Sequence, residues 1–368
     1  MELLANKAPL AEEMPSVPLV VIVGPTASGK SALALSIAER WHGEIVNCDS
    51  VQVYRGFDIG TGKVPPQERR GVPHHLLDRV EPEQVFTAGD YRREALQALE
   101  SIRERQWLPI LVGGTGLYLR ALLVGLFEGP QRSESVRARL TRIAARHPSP
   151  PDAQTGCNSR PGRFLHRWLE HLDPAAARRI HPRDRQKIIR ALEVCLLARQ
   201  PISTLWARGR TGLRSFETIK IGLNPDRTQL QGRINRRVET MFAGGLLDEV
   251  RVLLARPDGQ RLKPLEALGY RQACAVLCGE IPLEDAVRET QAATRQYAKR
   301  QMTWFRREAD VNWFAGFGND PEIRRQVLEW LGSKLKAPQS APVAAGYFRS
   351  PEPESRWVGA PTRSEEWE

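Results

Sequence analysis

The first part of the chain alternates short apolar runs with amphipathic stretches. Nearly continuous apolar residues predict buried strands at 18–24, 44–50 and 108–114. Apolar positions spaced three or four residues apart predict helices at 30–41, 90–106 and 115–125. Apolar strands that alternate with helices are typical of a parallel sheet covered on both faces. We therefore predict an α/β fold with a parallel sheet flanked by helices.

Helical patterns dominate the middle of the chain, and a strand pattern returns after it. Helices are predicted at 133–147, 163–173, 174–181 and 183–200, then at 226–245, 246–255 and 283–308. Further strands are predicted at 216–224 and 311–316. The resulting organisation is a flexible arm (1–17), a core (18–130 and 201–333), a small helical insertion domain (131–200) and a disordered, proline-containing tail (334–368).

The segment "GPTASGKS" joins the first predicted strand to the first predicted helix. It fits the phosphate-binding loop pattern G-x-x-x-x-G-K-[ST] through Gly24, Pro25, Thr26, Ala27, Ser28, Gly29, Lys30 and Ser31. The glycines let backbone N–H groups converge on phosphate oxygens, Lys30 adds a positive charge, and the Ser31 hydroxyl is a candidate magnesium ligand. The loop indicates a P-loop NTPase-like sheet. Most such loops hold a nucleoside triphosphate.

Two further strand ends carry candidate chemistry. Asp49 follows the second strand and is followed by Ser50, Val51 and Gln52, while Thr115 follows the third strand. The carboxyl ends of parallel strands meet at one edge of the sheet, where ligands bind. Asp49 has two possible functional roles, as a magnesium ligand or as a general base. The structural alternatives are a helix cap or solvated loop acid at Asp49 and a helix cap at Thr115.

Charge adds one further indication. The 368-residue chain has 54 Lys and Arg against 43 Asp and Glu, a net charge of +11. This excess is consistent either with a basic surface of no special purpose or with a polyanionic partner. The long helix at 283–308 favours the partner, because Arg288, Arg295, Lys299 and Arg306 fall on one stripe. The opposite face, predicted to pack on the core, carries Ala286, Ala293, Tyr297 and Trp304.

Cysteine usage and the lack of long apolar runs indicate a cytoplasmic protein. Five cysteines without a repeated spacing predict reduced thiols. The N-terminal residues do not resemble a signal peptide, and no apolar run approaches the ~18 residues of a membrane span. The adjacent His74 and His75 would point to opposite faces of an extended segment, which predicts core packing or loop hydrogen bonds rather than a shared metal.

Eight segments in order resemble bacterial tRNA dimethylallyltransferases. They are "GPTASGKS", "DSVQVYRGFDIGTGK", "GVPHHLLD", "VGGTGLYLRAL", "HPRDRQKIIRALEV", "GLLDEV", "ALGYRQ" and "ATRQYAKRQMTWFR". The resemblance runs from about residue 18 to 315. Eight ordered segments are far more specific than one phosphate loop.

The resemblance implies an activity and a role for particular residues. The family transfers a dimethylallyl group from its diphosphate to the N6 amine of adenosine 37, in tRNAs reading codons that start with U. Isopentenyladenosine and diphosphate are the products, and Mg²⁺ is the expected cofactor. By resemblance, Thr26–Ser31 and Arg233 hold the donor diphosphate, Asp49 is the general base, and Thr115 contacts the target nucleotide.

The resemblance also implies the partners. The anticodon stem-loop of tRNA would be gripped by Asp49, Ser50, Val51, Gln52, Thr115, Arg137, Gln186, Lys187, Ile188, Ile189, Arg190, Gly269, Tyr270 and Arg271. Dimethylallyl diphosphate is the small-molecule partner, no membrane is involved, and a monomer is expected.

Three other functions are weighed against this one. A P-loop small-molecule kinase would use Asp49 on magnesium, but would leave the basic helix and the insertion without a role. An adenylate isopentenyltransferase acting on free nucleotides would share the donor site, with little need of Gln186–Arg190. A non-catalytic RNA-binding protein with a relic loop would not depend on Asp49.

Overall fold

The computed structural model describes residues 17–146 and 162–336. These separate into two compact units, one formed by the residues up to Leu119 and from Arg214 onward, the other by Arg120–Leu213. Residues 1–16, 147–161 and 337–368 lie outside the described residues. The described residues include the last residue of the predicted arm and the first three of the predicted tail. Val17 begins a strand, and Lys334–Lys336 continue a helix whose Leu335 packs on the core.

The first unit is built on a parallel sheet, as predicted. Its described strands are β1 (Val17–Val23), β2 (Gly43–Cys48), β3 (His74–His75), β4 (Leu108–Gly113), β5 (Phe216–Leu223) and β6 (Val311–Phe314). They lie in the order β3-β2-β4-β1-β5-β6, and every neighbouring pair is parallel. Cys48 pairs with Gly113, so the segments that begin at Asp49 and Gly114 leave the sheet side by side.

Helices surround the sheet in the first unit. They are α1 (Lys30–Trp41), α2 (Ala88–Glu104) and α3 (Gly116–Leu123), which crosses the boundary between the units, and then α9 (Arg227–Ala243), α10 (Leu246–Leu254), α11 (Tyr270–Leu277), α12 (Leu283–Phe305) and α13 (Pro321–Lys336). Short 3-10 turns cover Pro66–Arg69, Gly259–Arg261 and Lys263–Glu266. α1 and α13 pack on one face of the sheet, with Leu33, Ile37, Val327 and Leu331 fully buried.

The second unit contains helices only, as far as the structure describes it. They are α4 (Glu134–Arg146), α5 (Gly162–Leu172), α6 (Pro174–Arg179), α7 (Arg185–Ala198) and α8 (Ile202–Ala207). Leu140, Leu165, Leu169, Ile188 and Leu192 form the centre of a separate apolar core. A unit with its own core is the organisation expected of an inserted domain.

The elements that sequence analysis missed are mostly short. β3 has two residues, α8 has six and α11 has eight, which is too little chain to display a clear period. α13, with 16 residues, was also not predicted. No helix in the described ranges is both long and apolar enough to cross a membrane.

Candidate active site

The phosphate-binding loop adopts a backbone that its glycines permit. Gly24 has φ 150° and Gly29 has φ 84°, both in the region that disfavours side chains. A Cβ atom on Gly29 would lie 2.9 Å from the backbone nitrogen of Asn319. Ala27 also has a positive φ of 62°, which is costly for an L-residue. The loop is therefore a strained, specific conformation of the kind found at ligand sites.

A segment after β6 supports this loop from behind. The Gly318 N–H donates to the carbonyl of Ser28 at 2.9 Å. Arg233, on α9, donates to Asn319 Oδ1 at 2.6 Å, and its guanidinium lies 3.6 Å from the ring centre of Phe317. Among the described residues, Arg233 does not line the cavity in front of the loop. Arg233, predicted to bind the donor diphosphate, therefore contacts the segment that supports the loop.

A cavity of about 250 Å³ lies in front of the loop. Its wall combines Thr26–Ala32 with residues of β2, of the segments that follow β2 and β4, and of α9 and α12. The polar members beyond the loop include Asn47, Asp49, Gln52, Arg237, Tyr297 and Gln301. The cavity therefore brings the predicted loop together with Asp49 and Gln52, as the sheet topology predicts.

Lys30 is held against the loop. Its ammonium group donates to the carbonyls of Gly24 at 3.0 Å and Pro25 at 2.7 Å. Burial and the nearby Arg237 lower the pKa of Lys30 to about 7, although Asp49 acts in the opposite direction. An anion bound at the loop would favour the charged form, so Lys30 is poised to respond to a phosphorylated ligand.

Arg237 is a cavity residue that sequence analysis missed. Its guanidinium donates to the carbonyl of Thr61 at 3.0 Å and lies over Gly62, where a Cβ atom would come within 2.0 Å of it. Burial lowers the pKa of Arg237, and Asp49 partly offsets this effect. The available signal was its position four residues after Arg233, on the same face of a helix.

Asp49 both shapes its own turn and faces the cavity. Its Oδ1 accepts hydrogen bonds from the N–H groups of Val51 at 2.9 Å and Gln52 at 3.3 Å. Asp49 also lines the cavity, so its second oxygen is the one available to a ligand. Asp49 thus caps a turn, where a helix cap or a solvated loop acid was the predicted alternative, and this capping leaves one carboxylate oxygen for a functional role.

Thr115 joins the two strand ends. Its Oγ1 accepts a hydrogen bond from the Ser50 N–H at 3.1 Å, and its own N–H donates to the carbonyl of Cys48 at 3.1 Å. The adjacent Gly113 and Gly114, rather than Thr115, line the cavity among the described residues. Thr115 thus holds Ser50 beside Asp49.

A second cavity, of about 310 Å³, meets the first at shared residues. Both are lined by Thr26, Ala27, Asp49, Thr61, Arg237 and Tyr297. The second cavity also has an apolar wall of Val51, Ile234, Val238, Met241 and Leu268. Asp49 therefore stands between a phosphate-binding loop and a pocket with a substantial apolar surface.

The segment Gly269–Arg271, a predicted tRNA contact, lies at the rim of the second cavity. Tyr270 is fully buried, and its hydroxyl donates to Glu249 at 2.5 Å. Glu249 also accepts from the N–H groups of Asp58 at 3.1 Å and Ile59 at 2.7 Å. The Tyr270 side chain is thus part of the packing, whereas Arg271 is exposed.

The predicted tRNA contacts in the second unit are of two kinds. Gln186 and Lys187 are exposed at the start of α7, whereas Ile188 and Ile189 belong to the core. Arg137 and Arg190 both bind the fully buried Glu193, Arg137 at 3.0 and 3.1 Å and Arg190 at 2.7 Å. The side chains of the two isoleucines are therefore unavailable to a partner. The two arginines stabilise the buried Glu193, in addition to any contact with a partner.

We expect Glu193→Gln to destabilise the protein by about 3 kcal/mol, because removing the buried carboxylate leaves the guanidinium groups of Arg137 and Arg190 without their counter-charge. Burial raises the pKa of Glu193, but hydrogen bonds from Arg137, Arg190 and the Ser133 N–H outweigh it and hold this pKa below its ordinary value. The stabilisation is therefore present above pH about 4.3 and is lost as pH falls through the lowered pKa. Denaturant unfolding should show a difference between wild type and variant that narrows in acid.

The exposed Glu170, also in the second unit, is the matched control for this measurement. Glu170→Gln should change stability by less than about 1 kcal/mol, as is usual for exposed ion pairs. An equal effect of the two substitutions would contradict the anchoring role of Glu193.

The cationic stripe of α12 is only partly as predicted. Lys299 and Arg306 are exposed, but Arg288 pairs with Asp285 and Arg295 donates to Asn235 at 2.6 Å. Arg288, on the predicted stripe, is thus neutralised by an acidic neighbour. Trp304, predicted on the packed face, is 37% exposed, while Gln301 and Thr290 are buried on that face.

The histidines and cysteines give no metal site within residues 17–146 and 162–336. His74 Nδ1 lies 2.8 Å from the carbonyl of Val72, a hydrogen bond of the predicted loop type, whereas His75 contacts the buried Glu44 of β2 at 2.5 Å. Cys48, Cys195, Cys274 and Cys278 are free thiols, as predicted. Cys157 lies outside the described residues.

The fold and the cavity together define an α/β protein with a phosphate-binding loop, in which an acid faces the cavity in front of the loop. Comparison with known proteins is consistent with this class. Residues 52–308 match the model of a protein family described as IPP transferase. A tRNA dimethylallyltransferase from Solibacter usitatus is 53% identical over 86% of this chain and 99% of its own length.

Solved structures give the same result. The full-length tRNA isopentenylpyrophosphate transferase from Bacillus halodurans is 37% identical, with a TM-score of 0.62 over 87% of this chain and 97% of its own. A eukaryotic dimethylallyltransferase acting on tRNA is 27% identical, with a TM-score of 0.69 over 89% of this chain and 81% of its own. The chain belongs to the IPP transferase family, a family of transferase enzymes.

Proposed function

We propose that the protein transfers a dimethylallyl group from dimethylallyl diphosphate to the N6 amine of adenosine 37 in tRNAs that read codons starting with U. The products are isopentenyladenosine and diphosphate. One observation carries the proposal: Lys30, Arg237 and Asp49 line one cavity, so a diphosphate and a proton acceptor can serve the same reacting atom. A relative named tRNA dimethylallyltransferase, 53% identical to this chain, supports the choice of substrates.

The proposed reaction needs both an anion site and a base. N6 forms a bond to the first carbon of the allyl group, and the carbon–oxygen bond breaks with its electron pair remaining on the diphosphate. Preorganised N–H groups of the loop, Lys30 and Arg237 stabilise this leaving anion. N6 then carries an extra proton, which passes to the free oxygen of Asp49.

Magnesium fits this site as a partner of the diphosphate. Mg²⁺ is usually held by one or two protein oxygens together with substrate phosphates, rather than by a cage of protein ligands. The Ser31 hydroxyl lines the cavity and is the candidate protein oxygen. Bound Mg²⁺ would supply positive charge to the leaving diphosphate.

We further propose that the anticodon stem-loop of tRNA presents the adenine to the second cavity. The adenine must leave its stack to reach Asp49, as in other base-modifying enzymes. The apolar wall with Val238 and Met241 suits an extruded base, and the exposed Arg271 and Lys299 suit phosphates. The free thiols among the described cysteines support a cytoplasmic location.

The proposal is tested by incubating the purified protein and Mg²⁺ with dimethylallyl diphosphate and one of three acceptors: an anticodon stem-loop, AMP or no acceptor. Mass analysis of the nucleosides should show one added prenyl group on the stem-loop only. Transfer to AMP would favour a free-nucleotide prenyltransferase. An unmodified stem-loop together with phosphate transfer from ATP would favour a kinase, and would refute the proposal.

We expect Arg237→Gln to weaken pyrophosphate binding more than Arg233→Gln does. Arg237 faces the cavity, and loss of a charge-assisted hydrogen bond costs about 1.5–3 kcal/mol, or roughly 10- to 100-fold in Kd. Arg233 acts through Asn319, so its loss should be smaller. Calorimetric titration with pyrophosphate and Mg²⁺ measures both, with the exposed Arg236→Gln as the control on the same helix. A larger loss at Arg233 would contradict this assignment.

A further inference from the structure

Gln301 is a buried polar residue to which the proposed reaction assigns no role. It lies on α12, is only 5% exposed and lines the cavity in front of the phosphate-binding loop. A buried amide away from hydrogen-bond partners is costly, so its contacts indicate what it is there to hold.

Both ends of the Gln301 amide bind backbone groups of the site. The Thr26 N–H donates to Gln301 Oε1 at 2.8 Å, and Gln301 Nε2 donates to the carbonyl of Gly114 at 2.9 Å. One partner is a donor and the other an acceptor, so only one orientation of the amide satisfies both. A Cβ atom on Gly114 would come within 2.2 Å of Nε2, so the close approach depends on that glycine.

The two backbone groups belong to opposite sides of the proposed reaction. Thr26 is part of the loop that would hold the donor diphosphate. Gly114 precedes Thr115, whose hydroxyl and N–H bind Ser50 and Cys48, the residues on either side of Asp49. One side chain therefore connects the anion site to the strand ends that carry the base.

We propose that Gln301 is a positioning residue that sets the distance between the donor loop and the strand ends bearing Asp49 and Thr115. This inference rests on the proposed transfer reaction and deepens it. A misplacement of about 1 Å between reacting groups can lower a rate about 100-fold, so such a link would act on turnover more than on binding. A merely structural glutamine would instead affect stability and binding together.

The first experiment compares Gln301→Met with Gln291→Met. Gln291 lies on the same helix, and its amide donates to Glu239 near the surface. The two substitutions therefore make the same chemical change on the same helix. Gln301→Met should lower kcat for transfer about 100-fold while the Kd for pyrophosphate changes less than about threefold. Gln291→Met should leave both unchanged. A parallel loss of affinity and turnover at Gln301 would overturn the positioning role.

The second experiment uses Gln301→Glu and pH. A protonated carboxyl group can donate to the Gly114 carbonyl and accept from the Thr26 N–H, as the amide does, whereas a carboxylate can only accept. Its neighbours in the cavity are Lys30, Asp49, His74, Arg237 and Tyr297. The kcat of the variant relative to wild type should therefore rise as pH falls, by up to about tenfold per unit while the carboxyl titrates.

The outcomes separate this inference from the proposed function. A wild-type enzyme that transfers the prenyl group, together with a variant-to-wild-type ratio that is flat with pH, overturns the role of Gln301 alone. A wild-type enzyme that transfers nothing to the stem-loop overturns the proposed function, and the positioning role falls with it. Thermal unfolding of each variant verifies that the comparison is made on folded protein.

Discussion

Asp49→Asn is expected to lower prenyl transfer by about 10²- to 10⁴-fold, the usual contribution of a positioned general base. Asparagine can still accept from the Val51 and Gln52 N–H groups, so the turn that Asp49 caps should persist. It cannot take a proton from the attacking amine. Loss of a negative charge beside the anion site should leave pyrophosphate affinity unchanged or slightly higher. Single-turnover transfer to an anticodon stem-loop measures the rate, and gel-shift titration measures retained RNA binding.

Asp248→Asn is a suitable control for Asp49, because Asp248 is an exposed acid on α10 that pairs with Arg251. It should transfer at the wild-type rate. Wild-type turnover in the Asp49 variant would remove this carboxylate from the mechanism. Loss of RNA binding together with turnover would indicate that Asp49 acts on the substrate before the chemical step.

Lys30→Met should reduce transfer by about 10²- to 10³-fold, comparable to removing one donor from an anion-stabilising site. The ammonium of Lys30 donates to the carbonyls of Gly24 and Pro25, so the loop itself holds it in place. Methionine keeps the length and apolar stem of the side chain while removing its charge. The donor affinity should fall with the rate, because the bound diphosphate loses a cationic neighbour in both the ground state and the transition state.

The matched control for Lys30 is Lys220→Met. Lys220 belongs to β5, and its ammonium donates to the carbonyl of Ala309, outside the two described cavities. Its substitution should leave pyrophosphate Kd and transfer unchanged. If Lys30→Met transferred normally, the loop would not stabilise the leaving anion through this charge, whatever its backbone N–H groups contribute.

The parallel sheet was predictable because its strands are locally encoded. The stretch from Val17 to Val23 is buried almost throughout, and an apolar run of this length has few alternatives to a central strand. The loop from Gly24 to Ser31 was predictable for a related reason, since its glycines occupy backbone regions that other residues avoid. Strand ends of a parallel sheet converge by topology, which is why Asp49 could be assigned to the same site.

Contacts between residues that are far apart in the sequence were harder to predict. Arg233 and Arg237 share a helical face, and only the packing of α9 decides that Arg237 enters the cavity while Arg233 supports Asn319. Tyr270 and Ile188 lie in segments predicted to contact tRNA, yet both side chains are buried. Similarity of a segment predicts which region of the chain has a role. It does not predict the burial of each side chain, because burial depends on the surroundings of that side chain.

The sequence by itself determined the type of fold, the phosphate-binding loop and the acid opposite it, because these depend on local periodicity and on backbone conformations that particular residues allow. The tertiary structure alone decided which arginine faces the anion site and that Glu193 holds Arg137 and Arg190. It also decided that Gln301 binds Thr26, 275 positions away in the sequence. Such contacts are set by how helices pack on the sheet, a sum over many weak interactions that no short stretch of residues encodes.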